Sequence, residues 1–519
     1  MTRYFSLVLL ILFISCKETT PKTTPVKEDI AASTNSYLEP YRPQFHFSPP
    51  THWMNDPNGL VYHQGVYHLF YQYYPEDIVW GPMHWGHAIS KDMITWEHKP
   101  IALYPDDLGL IFSGSAVVDV TNSSGFGTEE NPPLVAIFTY HLMAGEKAGR
   151  KDFQTQGIAY SLDNGDTWDK YEGNPVIGNK DIKDFRDPKV FWHEDSNQWI
   201  LTLVAGDHAK FYRSSNLKDW ELISEFGKDK GDHGGVWECP DLFKLKVEGT
   251  NEEKWVLLVS INPGAPNGGS GTQYFVGEFD GTSFTTEQTD SKWLDLGRDN
   301  YAGVTYNNTP NNERIFIGWM SNWDYARTTP TEVWRSAMTL PRTISLHEDE
   351  SGYFIKNYPL SQLSTISSEA YAQETILLET PFELSDDNYN ASEISFQVNL
   401  TEPLQLTFSN SLGKKVVFQM DPENSELSFD RTQSGLTNFD EKFAPSIQKQ
   451  NYLVKNENVE VRVILDASSV EIFVANGRYV FTNQIFPETP YTNLTISGAS
   501  SSVLQGFKMN KLNSIWKNE

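Results

Sequence analysis

The sequence predicts an all-β protein: a five-bladed β-propeller followed by a C-terminal β-sandwich. Two patterns carry that prediction. A unit of short strands recurs five times between residues 41 and 342, and apolar and polar residues alternate cleanly beyond Pro341-Arg342. Composition agrees, because charged residues are 21% of the chain and no stretch rich in Ala, Glu, Lys and Leu stands out. That texture argues against a coiled coil or a helical bundle.

The chain opens on MTRYFSLVLLILFISC, with Arg3 as the positive n-region and Leu7 to Ile14 as an unbroken apolar run. Such a run is too short to span a bilayer but suits the core of a signal peptide. Ser15-Cys16 resembles a bacterial lipobox, which implies cleavage before Cys16 and lipidation of its thiol. An ordinary secretory signal that contains a cysteine is the alternative. Residues 17–40 follow as a Thr/Pro/Lys-rich flexible tether with few large apolar residues. The expected location is therefore a bacterial cell surface or the periplasmic face of a membrane, held through the lipid at Cys16 alone. Cys239 is then left without a partner, so intrachain disulfides are not expected.

Each repeated unit opens on a segment rich in Asp, Pro, Gly or Ser. The openings are NDPNGLVY (Asn55–Tyr62), FSGSAVVD (Phe112–Asp119), RDPKVFW (Arg186–Trp192), ECPDLFKL (Glu238–Leu245) and YAGVTY (Tyr301–Tyr306). A strongly β-prone run follows each one, and four units close on a turn before an aromatic: Trp96, Trp168, Trp220 and Phe284. With Asp56, Ser113, Asp187, Glu238 and Ala302 as reference points, the spacings are 57, 74, 51 and 64 residues. Units of that size with three or four strands are the mark of propeller blades. Residues 343–370 read as a partly extended linker and 371–519 as the sandwich, with Asn476-Gly477 as a hairpin turn.

The formal charge of −27 excludes nucleic acid and anionic lipid as partners. His52, His63, His68, His84 and His87 crowd one region, yet they lack a metal-ligand spacing such as His-Glu-x-x-His. No metal and no cofactor are expected.

The first strand of every propeller blade lines the central channel, so the five openings converge on one funnel. Three of them bring an acid there: Asp56, Asp187 and Glu238. Any one alone reads as a turn residue, since Asp before Pro is common where strands begin. Three in register repel one another and resist desolvation, which makes a purely structural role costly.

WMNDPNG (Trp53–Gly59), FSGSAV (Phe112–Val117), FRDPKV (Phe185–Val190), WECPDLF (Trp237–Phe243) and IGWMSNWDYA (Ile317–Ala326) together resemble glycoside hydrolase family 32. Its invertases, inulinases and levanases cleave β-fructofuranosides. The sandwich segment LSFDRTQSG (Leu427–Gly435) and the stretch from Asp466 to Pro487 extend the likeness. The resemblance implies Asp56 as nucleophile, Glu238 as general acid/base and Asp187 as stabiliser of the transition state. It further implies Asn55, Gln72, Ser113 and Arg186 as hydrogen-bonding partners of the terminal fructose, and Trp53, Trp80, Phe112 and Trp319 as an apolar wall. Trp319 and Trp323 read equally well as blade packing. Tyr74 stands where the family often has Asn, at the rim of the pocket. Cys239 reads as packing beside Glu238.

These roles suit the chemistry. Breaking a fructoside creates an oxocarbenium-like cation, which one carboxylate can trap while another acid protonates the leaving oxygen. The expected function is a retaining hydrolase releasing terminal β-D-fructofuranosyl units from levan or inulin, and from sucrose. Endo action and a non-catalytic surface glycan binder are the alternatives. Ser161–Trp168 fits the Asp-box of sialidases, but it is a blade turn present in one clear copy, and an anionic sugar suits this charge poorly. A fructan-building transfructosylase usually lacks a C-terminal sandwich.

Overall fold

A computed structural model describes residues 37–452 and 458–516. The expected signal peptide, the lipidation site Cys16 and nearly all of the tether lie outside the described residues.

Five sheets make up the propeller. The first holds His52–His63, Val66–Tyr74, His84–Ser90 and Glu97–Leu103, and the second Leu110–Val118, Leu134–His141, Gln154–Ser161 and Asp169–Lys170. The third runs Phe185–His193, Gln198–Ala205, Ala209–Ser214 and Glu221–Phe226. The fourth runs Val236–Lys246, Glu253–Asn262, Gly271–Phe279 and Phe284–Thr285. The innermost strand of each sheet neighbours those of the blades on either side of it. Fifth and first blades meet through a parallel bridge, Val61 to Asn307, and through Trp334-Arg335, which lies parallel to His52-Trp53.

The repeat is written into the turns as well as the strands. In the first blade Asp92 accepts from Ser90, Ile94 and Thr95; in the second, Asp163 accepts from Ser161 and Thr167. Asn216 fills the same place in the third blade and Asp280 in the fourth. A short polar side chain satisfies the donors of a tight turn, so one local sequence suits every connection from third to fourth strand. Ser161–Trp168 is one of these turns. Trp96, Trp168 and Trp220 therefore precede an outermost strand and Phe284 begins one, so none of them ends its blade.

The fifth blade ends later than the repeat suggested. Its first strands are Tyr301–Thr305 and Ile315–Met320, and its outer ones are Arg342–Asp349 and Gly352–Pro359. Residues 343–370, expected to be a linker, thus hold two propeller strands, and Ser367–Leu377 already pairs within the sandwich. The excursion 321–341 separates the blade's two halves, which hid their continuity.

Two six-stranded sheets form the sandwich. In Asn458–Asp466, Val459, Val461, Val463 and Leu465 enter the core between them, alternating with the half-exposed Glu460 and Arg462. Each such side chain contributes about 1.5–3 kcal/mol on burial. Ile464, Phe473 and Val480 point the other way and pack against the propeller.

A buried polar seam lies along that junction. Arg342 donates to Asp295 (2.9 Å), Glu471 (3.0 Å), Thr482 (2.6 Å) and Asn357 (2.9 Å). Asp466 accepts from the His46 ring (2.8 Å) and from the backbone N–H of Gln44 (2.7 Å) and Phe45 (3.1 Å). Arg431 of the sandwich donates to Asp299 of the propeller (2.5 Å).

Candidate active site

Every innermost strand carries a β-bulge at the same end of the channel. Two residues face one across the ladder: Asn55 and Asp56 opposite Gln72, and Phe112 and Ser113 opposite Thr139. The same happens to Asp187 and Pro188 opposite Leu203, Cys239 and Pro240 opposite Val259, and Ala302 and Gly303 opposite Gly318. A bulge bends the strand and re-aims its side chains. Asp187, Cys239 and Ala302 all adopt positive φ (63°, 46° and 54°), an unusual backbone for residues with a Cβ.

This geometry corrects the equivalence drawn from the repeat. The three acids do not occupy one register position. Asp56 is the second residue of its bulge, Asp187 the first, and Glu238 immediately precedes its own. The true counterpart of Asp187 in the fourth blade is Cys239. What the blades share is the bulge, and each one steers a different side chain toward the axis.

Asp56 accepts from Ser113 Oγ at 2.6 Å on one oxygen and from Asn55 Nδ2 at 2.8 Å on the other. Asn55 is oriented in turn by Trp53 Nε1, 2.7 Å from its Oδ1. Asp187 accepts from the backbone N–H of Cys239 (3.0 Å), and its own N–H donates to Thr139 Oγ1 (3.0 Å). Glu238 accepts from Arg186 Nη2 (2.9 Å) and from the hydroxyl of Tyr301. Arg186 also donates to Asp184 (2.8 Å), and its Nε lies 3.9 Å from Asp187. The Cys239 thiol sits between two of the acids, 3.6 Å from Asp56 and 3.7 Å from Asp187.

One guanidinium, Arg186, therefore stands beside Glu238 and Asp187, while Asp56 is held by neutral donors. Burial and the nearby Glu238 push the Asp56 carboxyl up, while Ser113 and Asn55 hold it down. Burial lifts Asp187 to about 7; Arg186 opposes the lift, and Glu238 and Asp56 add to it. Burial disfavours the Arg186 cation, yet Glu238, Asp187 and Asp184 outweigh it and keep the guanidinium charged. Burial, then the neighbouring acids, drive the Cys239 thiol and the Tyr301 hydroxyl well above their ordinary ranges, so both are donors.

Below the acids a small cavity on the axis is lined by Asn58, Ser113, Asp187, Lys189 and Cys239. Its floor is closed. Lys189 pairs with Asp241 (3.4 Å) and donates to the Thr305 carbonyl, and Asn307 bonds the carbonyls of Ala116 and Val190. The channel is thus blind beyond the carboxylates.

The expected aromatic wall divides in two. Trp80 and Phe112 are half-buried, with ring centroids 6.1 Å apart. Trp53 and Trp319 are fully buried and offer a sugar no open face. They back Trp323, which stacks on Trp53 (5.9 Å) and packs on Trp319 (4.9 Å) and keeps part of its surface open. Gln72 is also buried, donating to Asn58 (2.8 Å). Among the described residues, the histidines singled out by sequence form no larger ligand set: His68 Nδ1 lies 3.1 Å from His87 Nε2 in a stacked pair.

Tyr301 is the contact that sequence reasoning missed. It precedes its bulge just as Glu238 does, so aligning YAG on ECP would have drawn attention to it.

A model of the glycosyl hydrolases family 32 N-terminal domain matches residues 46–358, and one of the family's C-terminal domain matches residues 359–511. Levanase of Bacillus subtilis is 46% identical over 498 residues, which is 94% of this chain and 72% of that protein. Extracellular exo-inulinase of Aspergillus awamori is 42% identical over 494 residues, 88% of this chain and 91% of that one. The crystal structure of exo-inulinase from Aspergillus awamori superposes with a TM-score of 0.85 at 38% identity, covering 92% of this chain and 100% of the other. A β-fructofuranosidase from Schwanniomyces occidentalis gives 0.82 at 30% identity, covering 94% and 100%. With the two domain models matching successive stretches from 46 to 511 and relatives this similar over most of its length, the chain belongs to glycoside hydrolase family 32 and is a glycoside hydrolase.

Proposed function

We propose that this enzyme is a retaining β-fructofuranosidase that removes terminal fructosyl units from levan or inulin and also cleaves sucrose. The observation that carries this reading is the blind funnel, closed by Lys189, Asp241 and Asn307, with three carboxyls at its end. A closed floor admits a chain end and excludes a polymer threaded through, which favours exo over endo cleavage.

In this reading Asp56 attacks the anomeric carbon, and its charge is held by Ser113 and Asn55 until the fructosyl ester forms. Glu238 gives its proton to the departing glycosidic oxygen, then takes one from the water that hydrolyses the ester. Arg186 and Tyr301 fix both Glu238 oxygens, so the acid meets the leaving group in one orientation. Asp187 faces the developing positive charge. Three carboxyls crowd one site with a guanidinium beside only two of them, and an oxocarbenium-like transition state relieves their repulsion more than a neutral fructoside does. Such preorganised charge stabilises a transition state selectively. Trp80, Phe112 and the open face of Trp323 supply the apolar contacts for the sugar's C–H groups. Similarity to a levanase and to an extracellular exo-inulinase supports the substrate class and an extracellular site of action. Display through a lipid on Cys16 completes the proposal; Cys16→Ser would release the enzyme into the medium.

The test is a time course on levan, inulin and sucrose, each alone. Free fructose as the sole product from the polymers at the earliest time points is expected. Early oligosaccharides would overturn exo action.

A further inference from the structure

The excursion 321–341 leaves the fifth blade, passes the candidate pocket with Trp323 and returns to the first blade at Trp334. Its backbone makes short turns, with Tyr325 and Ala326 donating to the Asn322 carbonyl and Thr328 to that of Tyr325, and Arg335 binds the carbonyls of Arg327, Thr329 and Thr331. To these and to the propeller's own bonds the sandwich adds a further set, centred on Tyr325. We propose that the sandwich shapes the sugar-binding wall, with Arg431 as the positioning residue that acts on Trp323 through Tyr325.

Arg431 lies in the LSFDRTQSG segment, in a strand whose core face belongs to the sandwich, yet its guanidinium reaches out of that domain. Nη2 donates to the Tyr325 hydroxyl (2.7 Å) and to the Phe443 carbonyl (2.6 Å), while Nη1 donates to Asp299 (2.5 Å) and to the Gln484 carbonyl (2.9 Å). Tyr325 passes the interaction on, donating to the other oxygen of Asp299 at 2.7 Å. The three side chains form a closed, fully buried triangle. The Tyr325 ring is clamped edge-on by Phe443 (5.1 Å). At the rim two further contacts cross the same junction: Lys442 to Asp324 (3.2 Å) and Thr328 to Asp440 (2.9 Å).

Only Asp324 separates Tyr325 from Trp323, and both Asp324 and Trp323 are tied as well. Asp324 is gripped by Arg298 (2.8 Å), and the Trp323 N–H donates to Ser270 (3.1 Å). Trp323 stacks on Trp53, whose indole N–H orients Asn55 and, through it, Asp56. A side chain of the sandwich is thereby linked to the pocket through the Tyr325 hydroxyl, the two peptide bonds back to Trp323, and the ring contact and hydrogen bonds beyond it. A buried guanidinium with four acceptors has one well-defined geometry, which is what a positioning device needs.

The inference rests on the proposed fructosyl pocket, so its test separates the two. Tyr325→Phe keeps the ring between Arg431 and Phe443 and removes only the hydroxyl. We expect the KM for sucrose and for inulin to rise 5- to 20-fold, with kcat within 2-fold. A merely structural junction would lower the melting temperature and the yield of active enzyme but leave KM unchanged. Trp323→Ala and the double variant complete the cycle. If Arg431 and Tyr325 act through Trp323, the double variant has the KM of Trp323→Ala alone. Additive losses would overturn the bracing role and leave the pocket standing. An unchanged KM in Trp323→Ala would overturn both. Arg431→Met, purified and shown folded by its tryptophan emission and a cooperative melt, should reproduce the KM of Tyr325→Phe; an Arg431→Met enzyme with wild-type KM would also overturn the proposal.

Discussion

At the junction of the domains four acids are buried together with their cations; at the end of the funnel three carboxyls have one guanidinium beside them, and it reaches only two. Asp295, Asp299, Asp466 and Glu471 meet Arg342, Arg431 and His46. Burial opposes the His46 cation, but Asp466 and Glu471 outweigh it and lift the ring to about 9. Burial likewise opposes Glu471, which Arg342 and His46 still hold below its ordinary value. At the funnel the balance is reversed, and Asp56 and Asp187 are both pushed up. The same residue types at similar depth thus do opposite things. Charge matched by charge fixes a geometry, whereas charge left partly unmatched stores a tendency to bind something positive.

Breaking either cluster should separate these two behaviours. Asp56→Asn removes the proposed nucleophile, so kcat/KM should fall by about 10⁴-fold or more while the melting temperature is unchanged or higher. Arg342→Met should do the reverse. It strands Asp295 and Glu471, and denaturant titration should show a loss of about 3–5 kcal/mol with kcat unchanged in the folded protein.

Asp187→Asn sharpens the contrast through pH. The folded carboxyl titrates at about 7, above its ordinary 3.8, so its contribution is fully present below pH 4 and is lost as pH rises through 7. The variant carries no such loss. It should be more stable than wild type by up to about 4 kcal/mol at pH 8, with the gap closing below pH 4. Equal stability at pH 8 would mean that the site stores no such strain. The smallest effect is expected from Tyr301→Phe, which leaves Glu238 with Arg186 alone. A fall in kcat of about 3- to 10-fold with a shifted pH optimum should follow, at near wild-type stability.

The three acids were legible in the sequence because each stands in a motif with proline two or fewer places away, repeated in order along the chain. Their relative placement was not. A bulge is a property of two paired strands, and nothing in NDP, RDP or ECP marks which residue lacks a partner. Tyr301 escaped for a related reason, since a tyrosine opening a β-prone run is an ordinary strand residue until its hydroxyl is seen against Glu238. The end of the fifth blade was misplaced because RTISLHED and GYFIKNYP alternate as the sandwich strands do. Trp53 and Trp319 were expected in the wall that meets the sugar, but burial puts them behind Trp323.

The strand pair that joins Trp334-Arg335 to His52-Trp53 has a consequence for biosynthesis. The first blade cannot be completed until residue 335 has been translated, nearly three hundred residues after that blade began. The brace at Arg431 comes a further hundred residues on. A nascent chain therefore carries all three carboxyls long before it owns a finished pocket. Hydrolysis should begin only when translation is almost over, which for an exported enzyme postpones activity until the chain is ready to leave.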